Sequence, residues 1–273
     1  MRVPSKHYNI NVWHTGGAMI ELSHYHFESI MSETHKDYSA LYLPIAIIVA
    51  GAFIAGGLYF GLSRSTGAVA GAQPTPQKVD VKDVKTDGLP FIGKADAPLT
   101  MAFWSDFQCP FCKAVEVGGV KGIATAPAIP DIIKRYVDTG KLRIVFKDFV
   151  FLGQDSITAA EYEHAIWELY PDKYFAWRTA MYKAQDEEGD QGFGDAASID
   201  KLNATIPGID AAKVKALVAQ KKSQYDALIQ ADTAEGQKFG IQGTPGFIIG
   251  RQSIGGAQPL SSFTSVIDSE LKQ

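Results

Sequence analysis

Apolar and polar positions along this chain fall into three regimes. From Leu41 to Leu62, "LYLPIAIIVAGAFIAGGLYFGL" carries no charged side chain. As a helix the run extends roughly 33 Å, enough to cross a hydrocarbon core of about 30 Å, and it predicts one N-terminal transmembrane helix. Pro44 falls in the first turn, where its missing N–H costs little, and Tyr42 and Tyr59 stand near the ends, where amphipathic rings suit the interface. Residues 63–88 are small, polar and proline-bearing, the pattern of a flexible linker. From Leu89 the pattern turns globular, which sets a folded domain over 89–273.

Within that domain "LTMAFWSD" (99–106) reads as a buried strand that feeds into "CPFC" and a helix. Three glycines and two prolines in "KAVEVGGVKGIATAPAIP" predict that this helix breaks and restarts near Pro130. "PDIIKRYVDTGK" reads as a helix closed by Gly140, and "KLRIVFKDFVF" (141–151) as a second strand. From about 156 to 238 the chain reads as mostly helical, with aromatics at three- and four-residue spacing, the stripe of a core-facing surface. The acidic loop "DEEGDQGFGD" (186–195) departs from a calcium loop, because its glycine falls one place late and Ala197 stands where a bidentate Glu is required. "FGIQGTPGFIIGRQSIGG" (239–256) then predicts a turn at Thr244-Pro245 and a hairpin, followed by a terminal amphipathic helix. Strand, helix, strand, helical insert, hairpin and helix make an α/β layer with an all-helical insertion.

Composition adds bounds. The 273 residues are 46% hydrophobic and 21% charged, which fits a folded chain, and the net charge of −4 is mixed along it. No basic stripe suggests nucleic acid. Residues 1–40 hold five of the six histidines (His7, His14, His24, His26, His35) at a loose spacing that specifies no coordination geometry. They read as a disordered tail, or as an over-long start whose true beginning is Met31. "AVAGA" (68–72) offers a cleavage pattern after Ala70, but the long apolar run and Arg64 favour an uncleaved anchor. Lys36 before the span, against Arg64, Lys78 and Lys82 beyond it, leans against export of the domain. The chemistry of the domain outweighs that count.

Cys109 and Cys112 are the chain's two cysteines. A strand followed by a helix puts Cys109 at a helix amino terminus, where unpaired N–H groups and the helix dipole favour a thiolate. Such sites lower a thiol pKa from about 8.5 into a range of about 3.5–7.5, and a low pKa also makes a good leaving group. Cys112, one turn later, is set inward within disulfide reach. A zinc half-site would need a second Cys or His pair, and the domain has only His164. A structural disulfide would close too small a loop to stabilise much. A redox pair is the remaining use, and it calls for no cofactor and no metal.

"DFQCPFCK", the distal "FGIQGTPGFIIG" and the helical insert between them resemble the DsbA-like thiol–disulfide oxidoreductases of the thioredoxin superfamily, in the membrane-tethered bacterial type, over about Leu89 to Leu271. The resemblance implies a thioredoxin-like fold and a cis Pro245 packed against the active-site pair. It also implies a Thr244 whose backbone pairs with an extended client segment, and a Pro110-Phe111 dipeptide in which Phe111 tunes the redox potential. Asp106, just before the motif, has two readings, a proton-transfer group for Cys112 or a plain loop carboxylate. Two departures leave the direction of electron flow open: Pro-Phe stands where the strongest oxidases have Pro-His, and Thr before the proline also occurs in isomerase-type relatives. The expectation is an extracytoplasmic enzyme of the cell membrane that introduces disulfides into exported proteins. A quinone-linked thiol oxidase in the membrane would reset it. A reductase or isomerase of the same fold, or a non-catalytic client-binding protein, are the alternatives.

Overall fold

The computed structural model describes residues 79–186 and 192–273. The expected tail, the span 41–62, most of the expected linker and the middle of the acidic loop lie outside the described residues. Among the described residues no helix is long and apolar enough to cross a membrane.

Five strands form one mixed sheet: β1 (Phe91–Ile92), β2 (Leu99–Ser105), β3 (Leu142–Asp148), β4 (Gly246–Ile249) and β5 (Gln252–Gly255), in the order β1-β3-β2-β4-β5. β2 and β3 run parallel in a register from Leu99↔Leu142 to Ser105↔Asp148, while β4 pairs antiparallel with β2 and β5 returns along β4. β2, β3 and β4 are covered on both faces, which is why they read as continuous apolar runs rather than alternating ones. β1 pairs antiparallel with β3 on one edge. It has no signature in the hydrophobic pattern, since two residues are too few for a period to show.

A parallel pair needs a crossover. Here it holds α1 (Pro110–Glu116) and α2 (Ile129–Ile132), which continues as a wider π-type turn through Ile133–Val137 before Gly140 closes it at φ +72°. The insert between β3 and β4 supplies α3 (Gln154–Leu169), α4 (Tyr174–Ala184), α5 (Ala196–Thr205) and α6 (Ala211–Lys238), and α7 (Leu260–Glu270) ends the chain. α5 and α6 start where aspartates accept from the backbone, Asp195 from Ser198 and Asp210 from Lys213.

One sheet face, with Met101, Phe103, Ile144, Phe146 and Phe247, packs against the crossover, α7 and the insert aromatics Tyr174 and Trp177. The aromatic stripe is therefore core. The other face, with Ala102, Trp104 and Ile248, packs against Phe149, Ile241 and three valines, Val79, Val81 and Val84. Those valines move the boundary expected at Leu89: residues 79–88 are folded onto the domain. The Val81 N–H donates to Gly250 O at 2.8 Å and the Lys85 N–H to Glu235 Oε1 at 3.0 Å. The surrounding lysines and aspartates had made the stretch look like tether, because average polarity hides three well-placed apolar side chains. α6 crosses the same face, where the Trp104 indole donates to Asp232 O at 3.0 Å.

Candidate active site

β2 ends at Ser105, and a short turn carries the chain into α1. The Cys109 N–H donates to Asp106 O at 3.1 Å, and the Gln108 N–H to Asp106 Oδ1 at 2.9 Å. Cys109 is the N-cap residue, with extended backbone (φ −75°, ψ 119°), and Pro110 occupies the first helical turn. Both sulfurs are free thiols and both residues are buried, Cys109 at 3% exposure and Cys112 at 0%. The N–H groups of Cys112 and Lys113 both close onto Cys109 O at 3.1 Å.

Opposite the pair, the Thr244-Pro245 peptide is cis and leads straight into β4. The Cys109 thiol donates to Thr244 O at 3.4 Å. The Thr244 hydroxyl is buried with no conventional partner among the described residues, and it lies within reach of both sulfurs. A cavity of about 360 Å³ opens beside this turn, lined by Ile241, Gln242, Gly243, Thr244, Ser253 and Ile254.

The two sulfurs are driven in opposite directions. The hydrogen bond from the Cys112 thiol lowers the Cys109 pKa to about 7 against the opposing effect of burial, with the Thr244 hydroxyl and the N–H groups of Cys112 and Phe111 assisting. Burial pushes Cys112 well above the usual thiol range, and a charge on Cys109 pushes it further. The expected cause therefore needs amending. α1 has only seven residues, so the first-turn amides act as individual donors and the neighbouring thiol contributes most.

The other residues singled out in the sequence separate. Phe111 is exposed at 49% and its ring has no hydrogen-bonding atom to offer, so it acts on the pair through its backbone N–H, while Pro110 is half-buried. The Asp106 carboxylate accepts from Gln108 N, from Ser156 Oγ at 2.6 Å and from Phe151 N at 3.1 Å, and burial raises its pKa. It stitches the exit of β2 to the start of the insert. The backbone N–H of Asp106 favours charge on the Cys112 sulfur.

Two groups escaped the sequence reading. Arg178 of α4 is wholly buried and spans the core beneath the pair. Its Nε donates to Glu116 Oε1 at 2.8 Å, Nη1 to Glu163 Oε1 at 2.7 Å and Nη2 to Ser105 Oγ at 2.8 Å, with the Phe146 ring 4.2 Å from its guanidinium carbon. Gln185, just past the end of α4, donates its side-chain amide to Phe107 O at 2.6 Å and to Cys109 O at 3.1 Å, and its own carbonyl accepts from Lys113 Nζ at 2.6 Å. No local signal marks either residue, since a charged or amide side chain in a helical stretch reads as a solvated face.

Comparison with known proteins agrees with this architecture. The family described as Thioredoxin matches residues 85–269. The chain is 26% identical over 183 residues to the probable disulfide bond formation protein D of Bacillus anthracis, covering 67% of this chain and 78% of that one. The crystal structure of oxidised BdbD from Bacillus subtilis superposes with a TM-score of 0.59 at 24% identity, covering 72% of this chain and 98% of that one. That of Chlamydia trachomatis DsbA does so with a TM-score of 0.56 at 18% identity, covering 68% and 92%. With more than half of its residues matched, and a CPFC pair facing a cis proline on a DsbA-like fold, the chain belongs to the thioredoxin family.

Proposed function

We propose that this protein is a membrane-tethered, extracytoplasmic thiol–disulfide oxidoreductase that introduces disulfide bonds into exported proteins. The observation that carries the reading is the asymmetry of the pair: a first sulfur that ionises near pH 7 beside Thr244 O, and a second held as a buried thiol behind it. The disulfide-forming relatives support the direction of the chemistry, and the charge-free run 41–62 supports the anchor. Disulfide formation in secreted proteins has its use outside the cytoplasm.

In the oxidising direction a client thiolate attacks Cys109 Sγ, and the Cys109–Cys112 bond breaks. Cys112 leaves as a thiolate and takes up a proton, which its buried setting favours. A second client thiolate then attacks the client sulfur of the mixed disulfide, and Cys109 leaves as a stabilised thiolate. The client loses two electrons and two thiol protons, and the pair gains the electrons. Thr244 and Pro245 would present backbone to an extended client segment, and Pro110 and Phe111 would tune the leaving sulfur. A membrane thiol oxidase that passes electrons to quinone would reset the pair.

The test is refolding of a reduced, disulfide-containing client by the oxidised protein, combined with its equilibrium with glutathione. Cys109→Ser should abolish client oxidation. A reductase would show a strongly reducing equilibrium and no client oxidation, and a client-binding protein would keep its function in Cys109→Ser.

A further inference from the structure

The Gln185 contacts put a residue of the helical insert directly onto the redox loop. Phe107 O and Cys109 O are both carbonyls, so the group between them has to be a donor, and the –NH2 end of Gln185 is the end that faces them. The side chain is 5% exposed, its backbone carbonyl is held by Lys113 of α1, and its own N–H continues α4 by donating to Met181 O at 3.0 Å. It is therefore anchored from α4 on one side and from the active-site helix on the other. One residue before the pair, Gln108 adds a parallel tie, donating to Phe193 O at 3.0 Å, while Asp186 accepts from the Phe193 N–H at 2.8 Å.

Cys109 O is the hinge of this arrangement. It accepts three donors, the N–H groups of Cys112 and Lys113 and the Gln185 amide, each at 3.1 Å. Its direction sets the plane of the Cys109–Pro110 peptide and hence the attitude of the first turn of α1. That same turn supplies the Phe111 and Cys112 amides that favour charge on Cys109. α1 is only seven residues long, and Gly118 and Gly119 follow it with positive φ, so little downstream helix steadies the turn.

We propose that Gln185 is a positioning residue for Cys109: by holding the carbonyls of Phe107 and Cys109 it fixes the first turn of α1 with its amides facing the sulfur, and so makes the helical insert part of the device that sets the redox poise. The proposal rests on the redox reading of the same pair.

The experiment compares the wild-type protein with Gln185→Met, which keeps the length and removes both donors. Thiolate absorbance in the reduced proteins reads Cys109, and equilibration with glutathione reads the disulfide. Gln185→Met should raise the Cys109 pKa by about half to one unit. At about pH 9, above the Cys109 pKa of both proteins, its glutathione equilibrium should move about three- to tenfold toward the disulfide, because the reduced form loses its stabilised thiolate, and near pH 7 by less than about twofold. A folded variant with both quantities unchanged overturns the proposal. Should Gln185→Met not fold, the reduced wild-type protein decides: the Gln185 side-chain amide resonances should shift with pH at the midpoint of the Cys109 absorbance, and resonances indifferent to that ionisation overturn it. Neither readout needs a client. A wild-type sulfur that ionises only in alkali would instead strike at the redox reading itself.

Discussion

The Cys109 sulfur lies 3.4 Å from the carbonyl oxygen of Thr244, a contact between residues 135 positions apart. It brings the end of β2 and the start of β4 together at one rim of the sheet. The pairing of Trp104 with Gly246 sets this meeting, because it leaves both loops emerging side by side.

The Thr244 hydroxyl is expected to matter through charge. Thr244→Val keeps the shape and removes a buried donor that both sulfurs can use. The Cys109 pKa should rise by roughly half a unit to one unit, and the rate of reaction with an alkylating reagent near pH 7 should fall in proportion to the thiolate lost. An unchanged rate profile would sink this assignment.

Cys112→Ala should trap clients. In this variant the Cys109 thiolate attacks a client disulfide and releases one client sulfur as a thiolate; with no Cys112 thiol to displace the bound client from Cys109, adducts should accumulate and appear on non-reducing gels. They should vanish in the Cys109→Ser, Cys112→Ala double variant.

Arg178→Met leaves the carboxylates of Glu116 and Glu163 buried without their cation. Breaking such a pair from one side costs about 3–5 kcal/mol, which urea unfolding would register as a lower midpoint. Among the described residues Glu116 Oε2 already lacks a hydrogen-bond partner, so this cluster has little reserve. A loss of under about 1 kcal/mol would show that water enters and replaces the guanidinium.

Redox state should change how stability follows pH. In the reduced protein Cys109 has its folded pKa lowered from 9.0 to about 7. A group depressed on folding contributes its full stabilisation above the unfolded pKa, and that contribution disappears as pH falls through the folded pKa. The reduced form should therefore gain stability relative to the oxidised form between about pH 7 and 9, on the order of 2 kcal/mol. Glu163, with its pKa raised by burial to about 7, and Asp232, raised by burial to about 6, act the other way in both redox forms. The folded chain binds their protons more readily, so both forms should lose stability as pH rises from about 4 to 7. Parallel pH curves for the two forms above pH 7 would contradict the Cys109 assignment.

A Cβ at Gly236 would stand 2.9 Å from Trp104 Nε1 and 3.0 Å from Phe149 Cδ2. Gly236→Ala should push α6 off the sheet and cost about 1–3 kcal/mol despite its better helix propensity, measured by denaturant unfolding. An increase in stability would mean that α6 can shift without penalty.

Local pattern carried much of this protein. The apolar runs 99–105 and 142–148 encode buried strands, Pro110 starts α1, the glycines after Val117 end it, and the aromatic spacing of 174–182 encodes a helix packed inward. These features were legible because burial and backbone preference act over a few neighbouring residues. The tertiary structure alone decided who meets whom. It turned Val79, Val81 and Val84 from tether into core, gave Arg178 its two carboxylates 62 and 15 residues away, and laid Gln185 on the carbonyls of the redox loop. Periodicity states that a side chain faces inward; it does not name the group waiting there, and a buried polar contact is worth little until its distant partner has arrived.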